Sequence, residues 1–525
     1  MKCGNTWIRM RVKVHIWTEV RVFHFDSYKV PVTGGLLLIA ALGSPSNAVG
    51  AEDKPNIVLI YTDDQGYGDC SLLNPEAKLQ TPNIDRIGRD GIVFTDGHSS
   101  DTVCTPSRYS LLTGRYSWRT RLKKGVLGSS AKPLISNSRA TLATLLKRNG
   151  YHTAMVGKWH LGMDFEENGK KIADGPIDKG FDYFFGIPAS MNYGYCAWYE
   201  NATATVPPFL FTQKKPNSLV KTDPRAYRIT PPFGETPKDG NIKVAADFED
   251  VLVLERFTEK AIAWIESVQA DEKPFFLYFP MTSPHKPVVP QERFRGKSKA
   301  GAYGDFMVET DHWVGEIIQA LERHGIYQDT LIIFSSDNGP ENTWKKRIER
   351  YQHDSSGIYR GGKRDIYEGG HRVPFLISWP KGIASGRRYD GPVNQVDIYA
   401  TLAEIVGDSV GQHEAEDSIS FAPVLRKEDF TRVPMIHHSS RGGFAIRAGD
   451  WKLVAGAGSG AAEPENGQME LYDLKDDPAE TTNVIGQHPE VAERLKDQIT
   501  EIILRGRTRE GPESSNDTPV ERWWK

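Results

Sequence analysis

Four short apolar runs of this chain each end in polar or charged residues, and this pattern limits the fold more than any other feature. The runs cover residues 56–61, 151–156, 274–279 and 330–336. An uninterrupted apolar run of this length is typical of a strand covered on both faces of a parallel sheet. Segments with helical character lie between the runs, at 255–268 and 305–324. Strands that alternate with helices predict an α/β fold with a large, mostly parallel sheet.

The chain changes in character after about residue 430. Strand-like pieces follow at 443–447, 451–454 and 470–474, and a helical segment follows at 489–504. They predict a small antiparallel sheet with one helix. A chain of 525 residues also exceeds one typical domain. We therefore assign a catalytic domain to residues 52–430 and a C-terminal α+β subdomain to residues 431–525.

Residues 1–51 have the order of an export leader. Basic residues precede the apolar run 35–42, and small residues follow it up to Ala51. This order is typical of a secretory signal peptide. The run is too short to span a bilayer, and no later run is longer. The pattern predicts a secreted or periplasmic protein without a membrane span; a disordered leader or an N-terminal anchor is the alternative.

The overall charge argues against one class of partner. The net charge is −3 at pH 7, which gives no general attraction for nucleic acid or anionic lipid. We therefore expect no nucleic-acid partner. Basic residues that bind an anionic ligand must act locally.

Two acidic pairs follow two of the predicted strands. Asp63 and Asp64 come after the first run, and Asp337 and Asn338 come after the last. Ligand sites of open α/β sheets collect at the carboxyl ends of the strands. Three carboxylates and an amide brought together there would need a cation, and their oxygen ligands favour Ca²⁺ or Mg²⁺ over Zn²⁺. A turn or a helix cap would explain either pair alone.

Cys104 begins the segment Cys104-Thr105-Pro106-Ser107-Arg108. Thr105 is suited to cap a helix, Pro106 to its first turn and Gly114 to its end. Cys104 would then lie at the positive end of a helix, where an anion is favoured. A buried structural cysteine before an ordinary helix is the alternative.

Basic residues and histidines follow the other two strands and a late glycine-rich segment. Lys158 and His160 would point to one side if the chain is extended there. His285 lies between two prolines, and a histidine can protonate a leaving group near neutral pH. Lys363 lies in a segment whose glycines allow close backbone approach. A solvated strand edge or a flexible loop would explain each of these alone.

Taken together, these segments resemble the type I sulfatases, which depend on formylglycine and belong to the alkaline-phosphatase superfamily. The resemblance rests on Cys-x-Pro-x-Arg at 104–108, Asp-Asp-x-Gly-Tyr-Gly-Asp at 63–69, Asp-Asn-Gly at 337–339, the segments 150–160 and 361–374, and a block at 471–480. It runs from about Pro55 to Asn483 in family order. The resemblance implies the alkaline-phosphatase-like fold: a mixed, mostly parallel sheet flanked by helices.

The resemblance also implies the chemistry. A formylglycine-generating enzyme oxidises Cys104, and one hydroxyl of the hydrated aldehyde attacks the sulfur of a sulfate ester. By the same resemblance, Arg108 and Lys158 hold the nucleophile, Lys158 and Lys363 bind the sulfate, His285 protonates the leaving oxygen and His160 accepts a proton. The implied ligands of one divalent cation, Ca²⁺ more than Mg²⁺, are Asp63, Asp64, residue 104, Asp337 and Asn338.

The organic part of the substrate is the open question. Segment 183–199 is rich in aromatic residues, which either stack on sugar rings or pack beneath a loop: Tyr183, Phe184, Phe185, Tyr193, Tyr195, Trp198 and Tyr199. Export with such a segment predicts a sulfated carbohydrate rather than another sulfate ester. The alternatives are a phosphonate or phosphate diester hydrolase of the same fold, or a non-catalytic glycan-binding protein if Cys104 is left unmodified.

Overall fold

The computed structural model describes residues 54–192, 194–213, 215–216, 227–455 and 469–520, so the predicted leader lies outside the described residues. The strands, in chain order, are β1 (Asn56–Asp63), β2 (Ile92–Phe94), β3 (Gly97–His98), β4 (His152–Lys158), β5 (Asp164–Glu166), β6 (Lys171–Ala173), β7 (Tyr183–Ile187), β8 (Tyr195–Cys196), β9 (Tyr199–Glu200), β10 (Thr203–Ala204), β11 (Leu210–Thr212), β12 (Lys215–Pro216), β13 (Tyr227–Arg228), β14 (Ile242–Val244), β15 (Phe275–Pro284), β16 (Thr330–Ser336), β17 (Phe375–Ser378), β18 (Arg387–Tyr389), β19 (Val393–Asn394), β20 (Met435–His438), β21 (Phe444–Ala448), β22 (Trp451–Ala455) and β23 (Glu470–Asp473). The helices are α1 (Pro82–Arg89), α2 (Cys104–Thr113), α3 (Leu142–Arg148), α4 (Val253–Val268), α5 (Gly301–Arg323), α6 (Trp344–Tyr351), α7 (Glu368–His371), α8 (Ile398–Ile405), α9 (Ala422–Leu425) and α10 (Pro489–Leu504).

A mixed sheet of twelve strands organises the main part of the chain. Its order is β18-β2-β17-β16-β1-β15-β4-β7-β9-β10-β6-β5. The four strands predicted from the apolar runs are β16, β1, β15 and β4, and they lie side by side and parallel at its centre. β7 continues the parallel block, whereas β17 and β9 join it antiparallel. The predicted fold class is confirmed.

Helices cover the central strands on both faces. Every residue of β1 after Asn56 is buried, as are all residues of β15 and β16. The covering helices form two groups: α1 and α4 both contact α5, and α2, α3 and α8 contact one another. Burial on both faces explains why these strands are apolar throughout rather than alternating. Within the described ranges, no helix combines the length and the apolar character needed to cross a membrane.

The C-terminal part of the chain forms the predicted small sheet. Strands β20, β21, β22 and β23 are consecutive antiparallel neighbours, and α10 contacts β21 and β22. The helix buries one apolar stripe that includes Leu495 and Ile499, both inaccessible to solvent. Tyr116 and Trp118, which follow α2, belong to the same apolar cluster. The small sheet therefore packs directly against the segment that continues from Cys104.

A buried group of charges joins the small sheet to the segment that carries Lys363. Lys452 of β22 donates to Glu368 Oε1 at 3.0 Å, and its Nζ lies 2.8 Å from Glu480 Oε1 and 3.0 Å from His371 Nε2. Glu480 Oε2 accepts from the backbone N–H of Glu368 at 2.6 Å, at the first residue of α7. All four side chains are fully buried. We call Lys452, Glu368, Glu480 and His371 the junction cluster.

A second contact joins the small sheet to the segment before Cys104. His438 of β20 forms a bridge with Asp101, and its Nδ1 lies 3.0 Å from Asp101 Oδ1. The backbone N–H of Thr102 donates to His438 O at 3.2 Å. The C-terminal sheet is thus fixed to the two segments that carry Cys104 and Lys363.

We predict that Lys452→Met lowers the free energy of unfolding in urea by about 3–5 kcal/mol, because Glu480 stays buried without its cation and Glu368 keeps only its arginine partners. The matched control is Lys496→Met. Lys496 pairs with Glu493 on the exposed face of α10, and such surface pairs contribute about 0–1 kcal/mol. A small and equal loss in both variants would contradict this role of the junction cluster.

Candidate active site

The polar residues that follow the central strands meet at one edge of the sheet. β1 ends at Asp63, β4 ends at Lys158, and Asp337 directly follows β16. β15 extends to Pro284, so His285 lies at the same edge. Parallel neighbouring strands bring their carboxyl ends together, and this explains why residues up to 274 positions apart become neighbours.

The four predicted acidic and amide ligands form one buried group. Asp337 Oδ1 accepts from the backbone N–H of Asp64 at 3.1 Å, and Asn338 Nδ2 donates to Asp64 Oδ1 at 2.8 Å. Asp64 holds a left-handed φ of 68° that turns the chain after β1. Among the described residues, Asp63 Oδ1, Asp64 Oδ2 and Asn338 Oδ1 have no hydrogen-bond partner. Buried oxygens without a partner are costly unless a ligand binds them. This set of hard oxygen donors fits a divalent cation such as Ca²⁺ or Mg²⁺.

Each carboxylate of this group has its own cation. Lys158 Nζ donates to Asp63 Oδ2, and Lys363 Nζ donates to Asp64 Oδ1. Arg108 donates to Asp337 Oδ2 through Nε at 3.0 Å and Nη2 at 2.7 Å. These six side chains come from five different segments, and all are buried. Close pairing offsets the cost of removing the charges from water.

Cys104 lies against this charged group. It is the first residue of α2 and is buried, and its Sγ lies 3.7 Å from Lys363 Nζ. The Cys104 sulfur and one carboxylate oxygen each of Asp63 and Asp337 all lie within 4.8 Å of one another. Position 104 and the acidic residues therefore lie together in one buried group.

The start of α2 differs from the prediction in one respect. The N-cap is Val103, not Thr105, which lies inside the first turn. The Thr105 hydroxyl instead accepts from the backbone N–H of Leu127 at 3.1 Å, a contact between distant segments that sequence does not reveal. Gly114 ends the helix in the left-handed conformation with φ 63°, as predicted.

The two histidines come from different loops, which follow β4 and β15. His285 Nε2 lies 3.8 Å from Asp64 Oδ2, and its Nδ1 donates to Lys286 O at 2.7 Å. β4 ends at Lys158, and His160 has a φ of 61°, so the chain is not extended there and the condition under which Lys158 and His160 would point to one side is not met. Nε2 of His160 donates to Leu127 O at 2.9 Å. This leaves its Nδ1 as the nitrogen able to accept a proton.

Burial and neighbouring charges shift the pKa values of the site residues in different directions. Burial acts to raise the pKa of Asp63, but the positive charge of Lys158 above all holds that pKa well below its usual range. Burial, followed by the charge of Asp63, raises the pKa of Asp337 to about 7. Burial also raises the pKa of the Cys104 thiol to about 11. The unmodified thiol is therefore protonated and a poor nucleophile at neutral pH.

The histidines are held neutral in the same way. Burial lowers the pKa of His285 to about 4, although Asp63 and Asp64 act to raise it. Burial and then the charge of Lys158 hold the pKa of His160 well below its usual range. A neutral imidazole is the form that can accept a proton.

Sequence reasoning did not single out two buried residues that follow strands at the carboxyl edge of the sheet. Ser190 follows β7, the neighbour of β4, and its buried hydroxyl has no hydrogen-bond partner among the described residues. Asp69 fixes the turn after β1, because it accepts from Gly66 N at 2.9 Å, Tyr303 OH at 2.7 Å and His353 Nε2 at 2.7 Å. The motif 63–69 contains Asp69 and offered a signal for it. Ser190 carries no signal beyond its position after a strand.

Four rings of the aromatic segment pack in the core. Phe184, Phe185, Trp198 and Tyr199 are buried, and Trp198 packs between Phe185 and Phe248 with ring centroids 6.0 and 4.8 Å away. These four rings are core residues, which is the alternative that the sequence left open. Tyr193 lies outside the described residues.

Comparisons with known proteins assign this site to a family. The family profile described as Sulfatase matches residues 55–408, and the profile described as N-sulphoglucosamine sulphohydrolase, C-terminal, matches residues 357–505. The chain belongs to the sulfatase family. This sulfatase is 32% identical to the N-acetylgalactosamine-6-O-sulfatase of Bacteroides thetaiotaomicron, over 91% of this chain and 99% of that protein. It is also 32% identical to human Arylsulfatase A, over 88% of this chain and 89% of that protein.

Solved structures agree with the family and the fold. A Bacteroides thetaiotaomicron sulfatase from work on the metabolism of multiple glycosaminoglycans matches with a TM-score of 0.74 and 31% identity, over 86% of this chain and 99% of the other. The phosphonate monoester hydrolase of Agrobacterium radiobacter shares the fold with a TM-score of 0.57 and 19% identity. This sulfatase is a sulfuric ester hydrolase, and its family implies a divalent metal ion and a formylglycine.

Proposed function

We propose that this sulfatase removes sulfate from a sulfated carbohydrate with the side chains gathered around Cys104. The observation that carries the proposal is the convergence, in one buried pocket, of residue 104, three carboxylates that each have a cation, and three buried oxygens without a partner. Preorganised charges of this kind stabilise the charge that develops in a transition state. A sulfate ester is an anion that matches such a pocket.

We assign the divalent cation to Asp63, Asp64, Asp337 and Asn338, with the side chain of residue 104 beside it. The three unpartnered oxygens support this assignment, and Ca²⁺ suits carboxylate and amide oxygens in a set of this size. When bound, the cation would supply Lewis-acid stabilisation of negative charge on the sulfate oxygens.

Residue 104 is the proposed nucleophile in its oxidised form. Formylglycine supplies, as a hydrate, a hydroxyl that attacks sulfur and a second hydroxyl that allows sulfate to be released. Arg108 orients this region, because its Nη1 donates to Lys158 O at 3.2 Å while its other nitrogens hold Asp337. Lys363, 3.7 Å from the Cys104 sulfur, offsets negative charge at position 104.

Lys158, Lys363 and Ser190 are the proposed sulfate-binding groups. The two lysines are buried next to the acidic residues, where a charge acts more strongly than in water. The buried hydroxyl of Ser190 follows the strand that pairs with the Lys158 strand and has a donor to offer.

His285 and His160 are the proposed proton carriers. His285 has its Nδ1–H fixed on Lys286 O, so its Nε2 is the nitrogen that protonates the leaving oxygen. The negative charge of a bound sulfate ester favours the protonated imidazole and would raise its pKa from about 4. His160, with Nε2–H fixed on Leu127 O, accepts a proton at Nδ1.

For the organic part of the substrate we propose an N-acetylated hexosamine that carries a 6-O-sulfate. Its support is the N-acetylgalactosamine-6-O-sulfatase that aligns with 91% of this chain. The sequence of residues 1–51, basic then apolar then small, supports export of the enzyme to the compartment where such polysaccharides occur.

The substrate proposal predicts sulfate release from N-acetylgalactosamine 6-sulfate, with a larger kcat/KM than for 4-nitrophenyl sulfate or glucose 6-sulfate. The measurement is ion chromatography of free sulfate over time. Turnover of the aryl sulfate alone would reject the carbohydrate substrate but would retain the sulfatase activity.

The nucleophile proposal predicts that Cys104→Ser lowers steady-state sulfate release by about 10³-fold or more, because a single hydroxyl cannot re-form a carbonyl to release the sulfate. Mass spectrometry of the peptide across residue 104 of the active wild type should show the lower mass of the aldehyde. The matched control is Cys196→Ser, a buried cysteine distant in sequence whose thiol donates to Met191 O. Sustained turnover by Cys104→Ser would exclude formylglycine chemistry.

The metal assignment predicts that Asp64→Asn weakens Ca²⁺ binding at least about 10-fold by titration calorimetry, because a charged hard ligand is lost. Asparagine tolerates the left-handed φ of 68° at this position, so the turn is kept. Asp311→Asn is the control, since Asp311 is a buried carboxylate of α5 that accepts from the N–H groups of Asn83 and Ile84. Equal Ca²⁺ affinity in wild type and Asp64→Asn would remove Asp64 from the metal site.

A further inference from the structure

Three residues outside the proposed catalytic set lie next to members of that set. Lys286 follows His285, Arg364 follows Lys363, and Glu341 lies three residues after Asn338. We call Lys286, Glu341 and Arg364 the rim triad. Its members come from three different loops at the carboxyl edge of the sheet, and the mechanism proposed above gives them no role.

The rim triad forms one ionic group at the boundary between the pocket and solvent. Arg364 donates to Glu341 through Nη1 at 2.6 Å to Oε1 and through Nη2 at 3.0 Å to Oε2. Lys286 Nζ lies 3.6 Å from Glu341 Oε2. The side chain of Glu341 is 8% exposed, whereas those of Arg364 and Lys286 are 32% and 29% exposed. Two accessible cations therefore share one buried carboxylate, which leaves one net positive charge at the rim.

The charges of the rim triad and of the proposed active site affect each other's pKa values. Burial acts to lower the pKa of Arg364, but Glu341 and then the more distant Asp64 and Cys104 raise it. Burial acts to raise the pKa of Glu341, but the hydrogen bond from Arg364 and then the charge of Lys363 hold that pKa well below its usual range. Because Arg364 directly follows Lys363, an anion bound beside Arg364 lies near the proposed sulfate-binding lysine.

Arg364 also has a strained backbone. Its φ is 84°, and its N–H donates to Thr102 O at 2.9 Å in the segment before Cys104. A left-handed conformation is strained for an L-residue with a side chain, whereas glycine adopts it freely. Such strain occurs at several positions of this chain, and at Arg364 it accompanies a side chain that is partly exposed at the rim. The half-exposed side chain of Arg364 contributes little to the core, so packing does not explain its presence here.

We propose that the rim triad is a second anion subsite, which binds a carboxylate or a second sulfate on the substrate next to the sulfate that is removed. The guanidinium has five N–H donors, of which Glu341 accepts two. Planar recognition of a carboxylate or sulfate by arginine is strong and directional. Glu341 holds the guanidinium in position before the substrate arrives. The inference rests on the proposed carbohydrate sulfatase function and narrows its substrates to sugars with two anionic groups.

The test compares three substrates of the mature full-length enzyme. They are N-acetylgalactosamine 6-sulfate, N-acetylgalactosamine 4,6-disulfate, and the chondroitin 6-sulfate disaccharide, which adds a uronate carboxylate. The wild type should show a kcat/KM at least about 10-fold higher for one of the two doubly anionic substrates than for the singly anionic one. The preferred substrate identifies the second group as sulfate or carboxylate.

Arg364→Gly should reduce that preference by about 10-fold or more, mainly through KM. The relief of backbone strain offsets part of the stability that is lost with the Glu341 pair. Arg364→Lys keeps the positive charge but loses the planar guanidinium that donates two parallel hydrogen bonds, so it should keep part of the preference. Gln352→Gly is the matched control: Gln352 is an exposed residue with φ 53° at the end of α6, and its replacement relieves similar strain away from the site.

Two results would overturn the subsite. One is an equal kcat/KM of the wild type for all three sugars. The other is an equal decrease of kcat/KM by Arg364→Gly for all three sugars, which would mean that the rim triad only stabilises its loops. Either result leaves the sulfatase proposal intact as long as 4-nitrophenyl sulfate or the singly sulfated sugar is hydrolysed. No hydrolysis of any of these sulfates would instead count against the proposed function.

Discussion

One-to-one pairing of three buried carboxylates with three buried cations is the interaction on which the rest of this structure depends. Asp63 pairs with Lys158, Asp64 with Lys363 and Asp337 with Arg108. Each partner comes from a segment distant in sequence, so the charges balance only when the central sheet is assembled. An incomplete pocket would leave a charge buried without compensation, which is among the costliest defects in a protein. The pairing thus couples formation of the active site to assembly of the central sheet.

The C-terminal sheet carries no residue of the proposed catalytic set, yet it holds two segments of the active site. The junction cluster fixes Glu368, five residues after Lys363, and the contact of His438 with Asp101 fixes the chain three residues before Cys104. Hydrogen bonds between fully buried charged groups have defined geometry and resist displacement by water. The small sheet therefore acts as a brace behind the pocket.

Local sequence predicted the central sheet well because its strands are buried on both faces and appear as unbroken apolar runs. The carboxyl-edge rule then placed Asp63, Lys158, His285 and Asp337 together without any knowledge of distances. Three features could be found only from the tertiary structure: the hydrogen bond from the Leu127 N–H to the Thr105 hydroxyl, the left-handed turn at His160, and the burial of Trp198. In each case a contact with a distant segment overrides the local preference of the residue.

The helix that begins at Cys104 has consequences for how the enzyme matures. All ten residues of α2 are buried, including Cys104, Pro106 and Arg108. On the proposed formylglycine chemistry, an enzyme that oxidises Cys104 would need access to this residue, which the folded chain does not offer. Oxidation would then have to precede folding. A molecule that folds before oxidation would keep an unreactive thiol at residue 104. The active fraction of a preparation would then depend on the rate of oxidation relative to the rate of folding.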